Sequence, residues 1–440
     1  MEGDISMDDR VRGVGPERPE DIHLSLETLA KWLAGGLEHD DVLELVAPHL
    51  LARCPVCRER HAEILRLKDE IGHWDEEVAV LESHLAQEIW SLLASRPYPE
   101  QLEVVETDET LHIWGLCQLL LKQSRESTFS DPNRAVELAN LALRVVRHLG
   151  AAYDPSWVLD LRARCFAYLG NARRVLGELR SAEDAFLKAE SCLNRSTTGN
   201  AEVQAEVWDL KSSLRRAQRR VEEALRLVDQ ALSLYREAGD GHGIGKTLVN
   251  KAKILEEAGD FAGAIELLQR VESEIDPGSE PQLFGYGRFN LLCCLILAGR
   301  HEEAEHVLPQ IRDLLRGSAK PLDLVRLRWA EGNIHLGRGR IGPAEAAFQE
   351  VRQEFLARHM GYDAALVSLD LARLYAQEGC VDELKRLAAE LMPIFESRDV
   401  HREAILALLM FQRACEEERV TVELVHQCAA FLRRERREAP

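Results

Sequence analysis

Aromatic residues make up only 6% of the chain, and its 440 residues include just 28 glycines and 15 prolines. That scarcity argues against strand-rich architectures and favours long amphipathic helices. Apolar residues still reach 46%, which is too many for a chain that stays disordered. Basic excess is also missing: 55 Lys and Arg stand against 75 Asp and Glu, a net charge of −20, so a nucleic-acid backbone is repelled and nucleic acid is not the expected partner. No apolar run approaches the roughly 18 residues of a membrane span. The opening Met1-Glu2-Gly3-Asp4 lacks the basic and apolar regions of a signal peptide, so a cytoplasmic location is expected. The ten cysteines are scattered through helical pattern, Cys293 and Cys294 side by side, and do not form the framework of a small secreted domain.

What the chain does contain is a repeat. In Gly259-Asp-Phe-Ala-Gly-Ala264, Gly299-Arg-His-Glu-Glu-Ala304 and Gly339-Arg-Ile-Gly-Pro-Ala344, a glycine is followed five positions later by an alanine, and the blocks recur every forty residues. Gly379 continues the register with Leu384 in the alanine position; Gly177 with Ala182, and then Ala224, fit it upstream at slightly different spacing. Glycine adopts the left-handed conformation that stops a helix, and a small residue one turn into the next helix lets the two approach closely. Each repeat therefore reads as a helical hairpin, with apolar positions such as Ile265, Leu267, Leu268 and Val271 at helical spacing on one face. Stacking buries what one hairpin leaves exposed.

Phe166, Leu169-Gly170, Ala182, Phe186 and Ala189 make the best copy of a pattern that resembles the tetratricopeptide family, with weaker copies at Leu248, Ala252, Leu255, Ala264 and Leu268 and at Gly332, Ala344 and Phe348. The likeness covers roughly residues 110 to 432, and its forty-residue period is longer than the family's usual thirty-four. The resemblance implies an all-α, tetratricopeptide-like solenoid of hairpins, a right-handed superhelix whose concave groove binds peptides or a partner's helix.

The front of the chain carries the one constellation with metal chemistry. His49 stands five positions before Cys54-Pro-Val-Cys57, and two thiolates at that spacing chelate zinc from a single turn. His23 lies further upstream, beyond a helix read over Leu26 to Leu33 and a break at Gly35-Gly36; His61 is an alternative ligand one turn beyond Cys57. This layout is similar to the zinc-binding anti-sigma-factor domain of bacteria, from which it departs by one extra residue between His49 and Cys54. The resemblance implies a structural zinc held by His23, His49, Cys54 and Cys57, and a partner such as a sigma factor. A four-ligand site has no open position for catalysis.

Other motifs fail. Asp240-Gly-His-Gly-Ile-Gly245-Lys246-Thr247 looks like a phosphate loop, but Asp240 stands where the first glycine belongs, and the segment falls where the register opens a repeat helix. No nucleophile elbow or metalloprotease helix is present, so no enzyme is expected. Paired carboxylates such as Glu302-Glu303, and the Arg433-Arg434-Glu435-Arg436-Arg437 run, read as solvated helix surface. The expected organisation is a flexible start over 1–20, a zinc module over 21–62, a helical connector over 63–106 with a break at Pro97 and Pro99, and a solenoid over 107–440. Two functions compete: a bacterial signalling or regulatory adaptor that binds protein partners, and a passive or self-associating scaffold capped by the zinc module.

Overall fold

The computed structural model describes residues 76–150, 153–275, 278, 281–315, 321–396 and 402–435. All five zinc candidates, His23, His49, Cys54, Cys57 and His61, lie outside these residues, as do the first 75 positions generally. Among the described residues there are eighteen α-helices, one short 3-10 turn and no strand. They fall into two compact units: one ends at Tyr168 and includes Cys192–Thr198, and the second comprises Leu169–Ser191 and Gly199 onward.

In the first unit, helix α1 (Glu76–Leu93) packs on α3 (Trp114–Ser127), which pairs with α4 (Pro132–His148); α2 (Tyr98–Thr107) lies against α4. Pro97 caps α2, where its missing N–H costs nothing. The Glu82 carboxylate of α1 accepts from the Gly115 amide at 3.0 Å and from the Tyr153 hydroxyl at 2.7 Å, so negative charge sits at the amino end of α3. A Cβ on Gly115 would meet the Glu82 carbonyl at 2.3 Å; only glycine permits this approach.

The second unit takes in the end of α5 (Pro155–Val175), most of α6 (Leu179–Arg195) and then six hairpins: α7 and α8 (Ala201–Ala217, Val221–Ala238), α9 and α10 (Gly241–Ala258, Phe261–Glu274), α11 and α12 (Pro281–Leu297, His301–Leu315), α13 and α14 (Pro321–Gly337, Ile341–Ala357), α15 and α16 (Gly361–Glu378, Val381–Glu396), and α17 and α18 (Arg402–Glu416, Val422–Glu435). The first helices of five successive hairpins begin at residues 201, 241, 281, 321 and 361, so the forty-residue register is the helical hairpin itself. Each first helix from α7 to α13 packs on the next first helix. At the far end the pattern changes: α15 packs on α18, and the Tyr362 hydroxyl donates to the Leu432 carbonyl at 2.8 Å.

The junctions close in one way. At Gly259 (φ 85°) the amide of the following residue, Asp260, returns to the Leu255 carbonyl at 2.9 Å, and Arg300 to Leu295 and Arg340 to His335 repeat that bond. The same position is left-handed in the neighbouring junctions even without glycine: Arg219 has φ 61° and Glu418 φ 54°. The register therefore continues through residues 177, 219, 259, 299, 339, 379 and 418, although glycine spacing alone hides two of them. A side chain in this conformation is strained. Arg219→Gly is accordingly expected to stabilise the chain by about 1 kcal/mol and Gly259→Ala to destabilise it by a similar amount, both read from urea unfolding midpoints.

One turn into each second helix, Ala182, Ala224, Ala264, Ala304 and Ala344 are completely buried, and Leu384 is buried in the same role. The glycines between Asp240 and Gly245 belong to a helix, not to a turn. Asp240 caps α9 by accepting from the Gly243 amide at 2.9 Å, and Gly243 and Gly245 lie inside the helix, where a Cβ would strike Tyr235 and Ile275. Helical propensity is sacrificed there for close packing. The eight described cysteines are free thiols, six of them buried.

Candidate functional site

Because each first helix lies beside the next, side chains forty or so residues apart become neighbours. Asp209 of α7 is 2% exposed; it accepts from Asn250 Nδ2 of α9 at 2.8 Å and pairs with Lys246 Nζ at 3.1 Å. Asn250 Nδ2 also donates to Ser212 Oγ at 3.0 Å, and Arg216 pairs with Glu257. Between α13 and α15 the arrangement recurs with different residues. Trp329 Nε1 donates to Asp370 Oδ2 at 2.7 Å, Arg373 donates to Asn333 Oδ1 at 2.8 Å, and Asp370 is 2% exposed. Burial strengthens such bonds and fixes the helices in one register, because a broken member would leave an unpaired polar group in a dry place.

Between these two groups runs a surface column. Lys246, Tyr286 and Arg326 occupy equivalent positions on three successive first helices, with side chains of Lys246 and Arg326 32% and 41% exposed and Tyr286 59% exposed. Asn250 and Asn290, half-buried, stand one turn further along. The column offers an aromatic plate between two cations, backed by amides that both donate and accept. A chain segment laid across it would find partners for its own backbone and acidic groups.

A second network ties first helices to second helices. Arg215 of α7 is nearly buried; its Nη2 donates to Glu183 Oε1 of α6 at 2.8 Å, and its Nε lies 3.1 Å from Glu223 Oε2 of α8. The Arg215 hydrogen bond, helped by Gln218, holds the Glu183 carboxyl at about 2 against an ordinary 4.5. Since the folded value is depressed, Glu183 contributes stability above pH 4.5, and that contribution disappears as pH falls from 4.5 towards 2. Thermal melts across this window should fall more steeply for the wild type than for Glu183→Gln.

Among the described residues no group of three or more His, Cys, Asp and Glu side chains is arranged to hold a metal. No described helix is long and apolar enough to cross a membrane. Burial pushes the thiols of Cys293 and Cys294 up to about 12, so these two remain protonated at neutral pH. Sequence reasoning did not find this column. Its signal was present as a polar or aromatic residue at 246, 286 and 326, but it becomes visible only when the first-helix orientation is known.

Residues 203–273, which span α7 to α10, match the family model described as tetratricopeptide repeat. Over that stretch the two hairpins are similar to tetratricopeptide repeats. Cellulose synthase operon protein C from Xanthomonas axonopodis pv. citri (strain 306) is 24% identical over 316 residues, covering 66% of this chain and 19% of that protein. The chain thus spans about a fifth of the length of that curated relative. Two crystal structures share the fold: aspartyl phosphate phosphatase F from Bacillus subtilis (TM-score 0.51, 11% identity, 84% of this chain and 94% of that one) and a Rap protein complexed with Competence and Sporulation Factor (TM-score 0.50, 13% identity, 84% and 98%). At such identities the likeness concerns the tetratricopeptide-like helical architecture alone.

Proposed function

We propose that this chain is a protein-interaction adaptor in bacterial signalling or transcriptional regulation. It takes a protein or peptide partner on the first-helix face of its tetratricopeptide repeats, and it contacts a second partner through the amino-terminal His and Cys module. The observation that carries the first half is the column of Lys246, Tyr286 and Arg326 on α9, α11 and α13, whose outer two helices are tied to α7 and α15 by the buried Asp209–Asn250 and Asp370–Trp329 bonds. Rigid, partly desolvated aromatic and cationic groups are the kind of anchor that dominates binding energy. Pre-ordering also reduces the entropy lost on association. That the Rap protein of similar fold was crystallised with Competence and Sporulation Factor supports the reading by analogy of fold.

The module is the second half. Residues His23, His49, Cys54 and Cys57, with His61 as the alternative, would hold one structural zinc, which would knit a small helical unit suited to a sigma factor or a comparable signalling protein.

Affinity capture with the full chain tests both halves. Partners retained by the wild type should be lost, at least tenfold, from a Tyr286→Ala, Arg326→Glu variant whose thermal melt is unchanged. Recovery of nothing but further copies of the chain would favour the self-associating scaffold and end the adaptor reading. Metal analysis of the purified protein should give about one zinc per chain, absent from a Cys54→Ser, Cys57→Ser variant; a metal-free wild type removes the zinc module.

A further inference from the structure

Cys117 of α3 and Cys165 of α5 are both completely buried, and their sulfurs lie 3.4 Å apart. Both residues belong to the first unit, and 48 positions of chain separate them. Each thiol has one hydrogen to donate. Cys117 Sγ donates to the Ala142 carbonyl of α4 at 3.5 Å, so in the contact between the sulfurs Cys165 donates and Cys117 accepts. A single core cysteine is a small apolar filler. Two with sulfurs in contact, brought together from different hairpins, form an oxidisable dithiol. To become a disulfide the separation must fall from 3.4 Å to about 2.0 Å, a movement of roughly 1.4 Å that side-chain rotation and a slight helix shift can supply. The bond lost on closure is only a weak S–H contact to Ala142, whose carbonyl lies within α4 and is placed to accept along the helix as well.

While the helices are packed, the pair is protected. Cys117 sits in the first turn of α3, where the helix dipole alone would favour a thiolate, but the Glu82 carboxylate already occupies that end. Burial, and then the hydrogen bond with Cys165, push the Cys117 thiol well above its ordinary range. Thiols react as thiolates, so oxidation waits on a local opening of α3 against α5.

We propose that Cys117 and Cys165 are a modification site, a dithiol that a hydroperoxide converts to a disulfide fastening α3 to α5. One sulfur, as thiolate, attacks a peroxide oxygen and breaks the O–O bond, giving a sulfenic acid and water. The second sulfur attacks the first, forms the S–S bond and expels another water. The sulfurs are oxidised, the two peroxide oxygens are reduced, and both thiol protons leave in the waters. Repacking of the helices then encloses the new bond and hinders its reduction. The site goes beyond the partner reading above and does not depend on it, because Tyr286 and Arg326 lie in the other unit.

Peroxide treatment of the reduced full chain, followed by alkylation of the remaining thiols and peptide mapping without reductant, tests the proposal. A peptide pair joined through Cys117 and Cys165 is expected, and a dithiol reductant should dissolve it. Oxidation should quicken several-fold in sub-denaturing urea, since opening limits it. The oxidised wild type should melt roughly 5–10 °C above the reduced form, because the link closes a long loop, and Cys165→Ala treated in the same way should show no such rise. The mapped link is read in the wild type, so the test stands even if that variant folds poorly. Absence of the Cys117–Cys165 link after exhaustive treatment, a link from Cys165 to Cys192 in its place, or an equal rise in Cys165→Ala would overturn the proposal. The Tyr286→Ala, Arg326→Glu variant should form the same disulfide, whatever becomes of its partner.

Discussion

Phe348→Ala is expected to lower the stability of the second unit by about 3–5 kcal/mol, read from urea unfolding followed by circular dichroism. Phe348 is completely buried in α14, and its ring fills the space left by Gly332 on α13: a Cβ built on Gly332 would lie 2.7 Å from the ring. The first repeat shows the same pairing, with Gly170 and Phe186 also at 2.7 Å. The intervening repeats solve this position differently. Sixteen residues separate each pair, and the sequence runs Ser212 with Val228, Ala252 with Leu268, and Leu292 with Leu308. Where the first helix gives up its side chain, the second supplies an aromatic ring, so the combined volume is roughly kept.

This complementarity makes the effect a property of the pair. Gly332→Ala alone should destabilise by about 1–3 kcal/mol through overpacking, despite the better helix propensity of alanine. The double variant Gly332→Ala, Phe348→Leu recreates the Ala252 and Leu268 combination, and it should be distinctly more stable than the sum of the two single changes predicts. Strict additivity would show that the two positions do not share a packing site. Because contacts in a repeat array run between neighbours, the loss should fall mainly on α13 to α15, and hydrogen exchange can localise it.

The repeat was legible in the sequence because its punctuation is chemical. Glycine at 259, 299, 339 and 379, with alanine five residues on after the first three and Leu384 after the fourth, is a signal that a single chain can carry, and the turn inside each hairpin falls where it says. Arg219 and Glu418 were not legible. They adopt the left-handed turn because bonds such as Arg220 to the Arg215 carbonyl at 2.8 Å, and burial of the helices on either side, outweigh their intrinsic preference. The change of partner at the end, where α15 meets α18, is likewise a tertiary outcome with no local marker. For the candidate site, residue types were visible but neighbours were not. Nothing in the sequence says that Asn250 bonds Asp209 rather than Asp229, or that Cys165 lies against Cys117; both follow from which faces of successive first helices meet.

Asp209→Ala should be the most damaging change on the first-helix face, costing about 2–4 kcal/mol. Its carboxylate is 2% exposed and takes both Asn250 Nδ2 at 2.8 Å and Lys246 Nζ at 3.1 Å. Alanine would leave the Asn250 amide without its main acceptor and withdraw the countercharge from Lys246. Part of that loss is recovered, because the Lys246 side chain is a third exposed and can turn to water, which places the expectation below that for a wholly buried pair. Asp209→Asn separates the two effects. It keeps an acceptor for Asn250 but removes the charge, so it should cost about 1 kcal/mol and be sensitive to salt only weakly. If both variants were equally stable, Asp209 would be a passenger in the packing of α7 on α9. With the expected order, partner capture should fall in Asp209→Ala even at temperatures where the chain is folded, since Lys246 and Asn250 would lose the group that aims them.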